Sequence, residues 1–277
     1  MTEPHTPQIG CIGGGNMASA LLGGLIGQGV APGQLTVVEP SESQRAALRE
    51  QWGITAAPDA LAVAPALAHA DLVLWAIKPQ VFRAAAAPVA PHVGAALHLS
   101  VAAGIPSASI ARWLGSERIV RAMPNTPALI GQGIAGLYAR AAVSGADRAL
   151  IERVIGTTGE FLWVADEAEL DAVTALSGSG PAYVFFFLEA MAQAGQEMGL
   201  NAAQSARLAL ATFRGATELA ARSGESPALL RQRVTSKGGT THEAITHLQA
   251  TQVGEHFIEA MKAAQARARA LAAEFGA

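Results

Sequence analysis

The chain has 277 residues, 51% of them hydrophobic and 15% charged, with a formal net charge of −3. That length holds one large domain or two ordinary ones, and the charge excludes the basic footprint of a nucleic-acid binder. So little charge covers a monomer's surface poorly, which points to burial against a second copy. The lone cysteine, Cys11, excludes an intrachain disulfide framework and suits the cytosol.

The opening MTEPHTPQ has neither a basic start nor a long apolar run, unlike a secretory leader. Then come apolar runs that read as strands: QIGCIG (8–13), LTVVE (35–39), DLVLWAI (71–77), ALHLSV (96–101) and RIVRAM (118–123). Helical patterns at 16–28, 42–51, 80–88 and 106–114 separate them. This alternation predicts βαβ units around a parallel sheet. The most apolar window, 60–77, is broken by Pro65, His69 and Asp71 and cannot span a membrane. A cytoplasmic protein with no membrane partner is expected. Two more short strands, at 134–138 and 160–164, flank a helix at 146–156.

From about residue 170 the strand signal stops and helix punctuation takes over. Pro181 opens a helix that Gly199 closes, and Asn201 caps another that ends at Gly224. Ser226 and Pro227 begin a third, a fourth follows GGTT at 238–241, and the last runs over 252–275. The first of these carries Tyr183, Phe185, Phe186 and Phe187. A helix apolar nearly all round is a buried one, and a small helical half offers a dimer interface as the burial place. Two domains follow: an α/β dinucleotide-binding domain over 1–165 and an all-α substrate and dimerisation domain over 166–277.

GGGNMA sets Gly13, Gly15 and Ala18 in the G-x-G-x-x-A spacing, after a strand and before a helix. Gly13 permits the tight turn, Gly15 lets backbone approach a pyrophosphate, and Ala18 lets helix and strand pack closely. The second strand ends at Glu39, where an acid bonds the ribose 2′-hydroxyl of NAD and repels a 2′-phosphate. At ~4 Å that repulsion is about 1 kcal/mol per charge pair in water and about 4 at an intermediate dielectric. Ser41, Ser43 and Arg45 could hold a phosphate if Glu39 turns aside, and Ser41 fits a helix cap equally well. NADPH and NADH both stay open, with NADH favoured. Lys78, in AIKPQ, ends the third strand beside the cofactor crevice or points to solvent; SVAAG (100–104) ends the fourth with small residues.

In the second half, LSGSGPAY (176–183) and SKGGTTHEA (236–244) each place glycines and hydroxyls before a helix start. Such ends favour a carboxylate. Thr240 and Glu243 fit a capping box, which leaves the Thr241 hydroxyl free. His242 and His247 are acid–base candidates by type only. Metal-ligand spacing is absent, as is the mid-helix lysine that a hydroxyacid-type dehydrogenase needs. A protonated imine, already electrophilic at carbon, suits the residues present.

Six stretches together, IGCIGGGNMASALLGGLIGQG, AIKPQVF, SVAAGI, RAMPNTPALIGQG, DAVTALSGSGPAYVFFFLEAMA and SKGGTTHEAI, resemble pyrroline-5-carboxylate reductase nearly end to end. The resemblance implies a Rossmann-like N-terminal domain, an all-α dimerisation domain, a homodimer often assembled into a ring of dimers, and NAD(P)H reduction of a cyclic imino acid to L-proline. Carried over by position, it implies nucleotide contacts at Ile12, Gly13, Gly15, Asn16, Met17, Glu39, Ser41, Ala76, Lys78, Pro79, Ala102 and Ala103, with Asn125 near the nicotinamide. It puts the substrate carboxylate at Ser236, Gly238, Gly239 and Thr240, with Glu167, Ser177 and Arg233 lining the pocket. Thr241 is then the proton donor to the ring nitrogen. Lys237 stands where many relatives have proline, and Glu39 replaces a small polar residue. A hydroxyacid-type dehydrogenase and a non-catalytic dinucleotide sensor are the other readings.

Overall fold

The computed structural model describes residues 7–276; residues 1–6, read above for a leader, lie outside them. Seven strands form one sheet: β1 (Ile9–Ile12), β2 (Leu35–Val38), β3 (Leu72–Trp75), β4 (Leu97–Ser100), β5 (Ile119–Met123), β6 (Gly133–Ala139) and β7 (Gly159–Trp163). Their order is β2-β1-β3-β4-β5-β6-β7, and the first five run parallel. The expectation of a parallel sheet needs one correction. β6 runs antiparallel to β5, and β7 runs parallel to β6. Residues 124–132 are too short for a crossover helix, so the chain turns straight back.

The first five strands are near-continuous apolar runs because helices cover both faces. Alternate side chains feed two cores. Ile9, Cys11, Leu72, Leu74, Leu97 and Leu99 point one way, under α1 (Asn16–Gly27), α2 (Glu42–Trp52) and α6 (Gly145–Gly156). Ile12, Val73 and Trp75 point the other way, toward α4 (Pro79–Val89) and α5 (Ser107–Leu114). Each fully buried Leu or Ile contributes roughly 1.5–3 kcal/mol. Cys11 is fully buried, and burial pushes its thiol pKa up, so it is a core residue. The sequence reading missed a short α3 (Ala64–Leu67) and the five-residue α7 (Glu169–Val173), which runs into a π turn at Thr174–Gly178.

Contacts divide the described chain into two compact units, residues 1–179 with 264–277, and residues 180–263. The sequence division at 165/166 thus differs at both ends. Residues 166–179 belong with the sheet, where a side chain on Gly136 of β6 would strike Val173 at 2.8 Å. α12 (Val253–Phe275) starts in the second unit and ends in the first. There Ser109 Oγ donates to the Gly276 carbonyl at 2.5 Å and Arg112 at 2.9 Å.

The second unit is helical: α8 (Gly180–Glu197), α9 (Ala202–Ser223), α10 (Pro227–Arg233), α11 (Thr240–Ala250) and the start of α12. Asn201 caps α9 by accepting from Gln204 N, and Gly224 ends it in the left-handed conformation. Ser226 caps α10. α8 and α9 approach closely because Gly195 has no side chain; a Cβ there would lie 2.7 Å from Ser205 Oγ. Tyr183 and Phe187 meet the Phe257 ring edge-on, whereas Phe185 and Phe186 are 57% and 66% exposed in the single chain.

Candidate active site

In the first unit β1 ends in the turn Gly13-Gly14-Gly15, and α1 begins at Asn16 with Gly15 as its N-cap. Gly13 has φ +98°, and a Cβ there would stand 2.5 Å from the Ala76 carbonyl. A Cβ on Gly15 would meet nothing within 4 Å, so the space before the helix start is open to an incoming group. Ile12 is buried, Asn16 is exposed and Met17 is half-buried on that rim. These residues fit a pyrophosphate: an open backbone face at a positive helix end.

Glu39 follows β2. Its carboxylate accepts from Gly14 N at 2.8 Å and from Ser41 N at 2.7 Å. Ser41 caps α2 through Gln44 N. β3 ends at Trp75, Ala76 N donates to the Ile12 carbonyl at 2.9 Å, and exposed Lys78 precedes Pro79, the first residue of α4. Ala102, buried, and Ala103, half-buried, follow β4. Asn125 Oδ1 accepts from Ile134 N at 3.0 Å, which pins the loop after β5. The predicted nucleotide residues therefore collect at the carboxyl ends of β1 to β5, where open α/β sheets bind their ligands.

Glu167 is half-buried in the first unit. Its carboxylate accepts from Ser107 N and Ser107 Oγ, both at 2.6 Å, and from Arg121 at 2.7 Å. Burial alone would raise its pKa, but those bonds outweigh burial and hold it below the usual range. Arg140 also reaches Ser107 Oγ, at 3.2 Å, and pairs with Glu117. The sequence reading did not find this network. Its signal was there: an arginine inside the buried run RIVRAM must have an acid to meet. Ser177 lies in the π turn and donates to the Val173 carbonyl at 3.0 Å.

In the second unit, Ser236 to Gly239 form the turn before α11. Gly239 N donates to the Ser236 carbonyl at 3.0 Å, and Gly238 has φ +74°. The capping expectation is corrected here: Gly239, not Thr240, is the N-cap, and no side chain caps the helix. Thr240 already lies inside the first turn, and the extended backbone of Gly239 brings the chain in. The helix's first N–H groups are thus left without a side-chain partner, next to the Thr241 hydroxyl. Arg233 pairs with Glu225 at 2.6 Å, and Lys237 is exposed. His242 lies beside Glu243 at 3.6 Å. Among the described residues no group of three His, Cys, Asp or Glu could hold a metal.

A doubly wound sheet with an open glycine turn, followed by a helical unit, defines a nicotinamide-dinucleotide oxidoreductase. Residues 8–104 match the family described as NADP oxidoreductase coenzyme F420-dependent, and residues 167–271 match pyrroline-5-carboxylate reductase dimerisation. The pyrroline-5-carboxylate reductase of Pseudomonas aeruginosa is 44% identical over 98% of this chain and 99% of its own. That of Coxiella burnetii superposes with TM-score 0.88 at 36% identity, covering 96% of this chain and 99% of that one. A Plasmodium falciparum pyrroline carboxylate reductase with NADP bound gives TM-score 0.85 at 26% identity, over 96% and 98%. The chain belongs to the pyrroline-5-carboxylate reductase family.

Proposed function

We propose that the chain reduces 1-pyrroline-5-carboxylate to L-proline with NADPH or NADH, the final step of proline biosynthesis. The observation that carries this reading is the uncapped α11 start at GGTT, in a chain that also keeps the open GGGNMA turn.

The first unit takes the nucleotide: its pyrophosphate lies on Gly13 to Met17, its ribose at Glu39 and Ser41, and its nicotinamide end by Ala102, Ala103 and Asn125. Ala76, Lys78 and Pro79 line the adjoining strand end. When bound, a reduced nicotinamide supplies the hydride. Ser236, Gly238, Gly239 and Thr240 hold the substrate carboxylate with backbone N–H groups and hydroxyls at the α11 terminus. The Thr241 hydroxyl bonds the ring nitrogen and holds its proton while the adjacent carbon accepts hydride. A neutral hydroxyl suffices because the protonated imine needs no further activation. Glu167, Ser177 and Arg233 are assigned further roles in substrate binding.

The segment that matches the dimerisation family, residues 167–271, carries dimerisation, with dimers able to assemble into a ring, and the protein works in the cytoplasm. Among the described residues no helix is long and apolar enough to cross a membrane. The test is direct. Purified protein, 1-pyrroline-5-carboxylate and either reduced cofactor should show loss of the reduced-nicotinamide absorbance and formation of proline. No consumption with either cofactor would reject the reading.

A further inference from the structure

Glu39, half-buried just after β2, is held at both of its carboxylate oxygens. One carboxylate oxygen accepts from Gly14 N at 2.8 Å and the other from Ser41 N at 2.7 Å. The Gly14 peptide is held on its other side as well, where Gln44 Nε2 donates to the Gly14 carbonyl at 2.6 Å. Bare Gly14 makes this possible, since a Cβ there would lie 3.2 Å from Glu39 Cβ and Cγ. The acid at the end of β2 is therefore stitched to the middle of the phosphate turn.

The groups that could welcome a 2′-phosphate are engaged elsewhere. Arg45 donates to the carbonyls of Glu39 at 2.9 Å and of Pro40 at 2.7 Å. Ser41 and Ser43 pair their hydroxyls at 3.0 Å. Opening a phosphate site would require turning Glu39 out, at the loss of both its backbone bonds, and freeing Arg45 from both carbonyls. A carboxylate has about four acceptor positions, and only two of those on Glu39 are filled. The remaining ones can accept from the vicinal hydroxyls of an adenosine ribose.

We infer that Glu39, clamped between Gly14 and Ser41, is the cofactor-selecting residue, and that this chain takes NADH in preference to NADPH. The clamp also makes Glu39 a positioning residue for the phosphate turn itself. This inference rests on the dinucleotide reading of the first unit and not on the identity of the imine.

The test is equilibrium binding to the full-length protein without imine, followed by nicotinamide fluorescence. NADH should bind about tenfold or more tighter than NADPH, the ratio expected when a phosphate lies near a fixed carboxylate. In competition, ADP should displace NADH at lower concentration than adenosine 2′,5′-bisphosphate, a comparison that needs no variant. Glu39→Gln keeps an acceptor for one backbone N–H and removes the charge, so it should bring the NADH-to-NADPH ratio toward one. Glu39→Ala, which also loses the clamp, should weaken both nucleotides. Equal or tighter binding of NADPH by the wild type overturns the inference, as does a ratio that Glu39→Gln leaves unmoved. Failure of both nucleotides to bind overturns the dinucleotide reading with it. Normal binding without turnover would instead reject only the imine reductase.

Discussion

His98 is fully buried on β4, where Trp75 Nε1 donates to its Nδ1 at 3.3 Å and its Nε2 has no partner among the described residues. Burial, helped by Arg118, pushes its pKa down from 6.5 to about 4. The unfolded chain therefore takes up this proton first. The group's contribution to stability is complete above pH 6.5 and is lost as pH falls toward 4, about 3 kcal/mol in all. Urea midpoints for His98→Gln should fall less between pH 7 and 5 than those of the wild type. At Thr241, replacement by Ala should lower kcat about tenfold, the loss of one hydrogen bond at the reacting nitrogen, and leave the Kd for NADH and NADPH unchanged. Single-turnover rates and direct binding separate the two effects; an unchanged kcat removes Thr241 from the mechanism. The glycines of the turn and Glu39 were legible because their chemistry follows from spacing. The engagement of Glu167 was not, because its partners Ser107 and Arg121 lie far off in the sequence.

At the scale of elements, local punctuation carried most of the fold. Asn201, Ser226 and Gly224 act as the caps their positions predicted. All seven strands fall within the predicted windows to a residue or two, and the first five are legible because a strand buried on both faces must be a solid apolar run. What escaped was the reversal into β6, the π turn, and the Gly239 cap that displaced Thr240. The Glu167 network joins the start of α5 to β5 and to the segment before α7. Arg121 keeps a side chain only 11% exposed, so Glu167→Ala leaves it charged and without its hydrogen-bonded acid. That should cost about 3 kcal/mol, read as a lowered denaturant midpoint. Arg121→Met together with Glu167→Leu should lose less than either single change, since an apolar pair needs no compensation. If the double variant is the worst of the three, the network is not a paired-charge device.

For the whole molecule, the scarcity of charge predicts a covered face, and the second unit carries large apolar side chains left exposed in the single chain. Phe185 and Phe186 stand 57% and 66% exposed in a single chain, alongside Leu208, Leu210 and Leu219. Phe186→Asp should shift sedimentation equilibrium toward monomer while the circular dichroism stays helical; an unchanged dimer would place the contact on another face. By contact, the last helix of the chain ends in the first unit. Ser109 and Arg112 hold the Gly276 carbonyl, and Leu271 lies against Gly104, just past Ala102 and Ala103. The final turn of the chain is in effect a buckle on the cofactor half. Severing the protein once at 165 would release that buckle, so a fragment of residues 1–165 should melt well below the intact protein. Loss of that last turn would uncover Gly104, in the loop that follows β4.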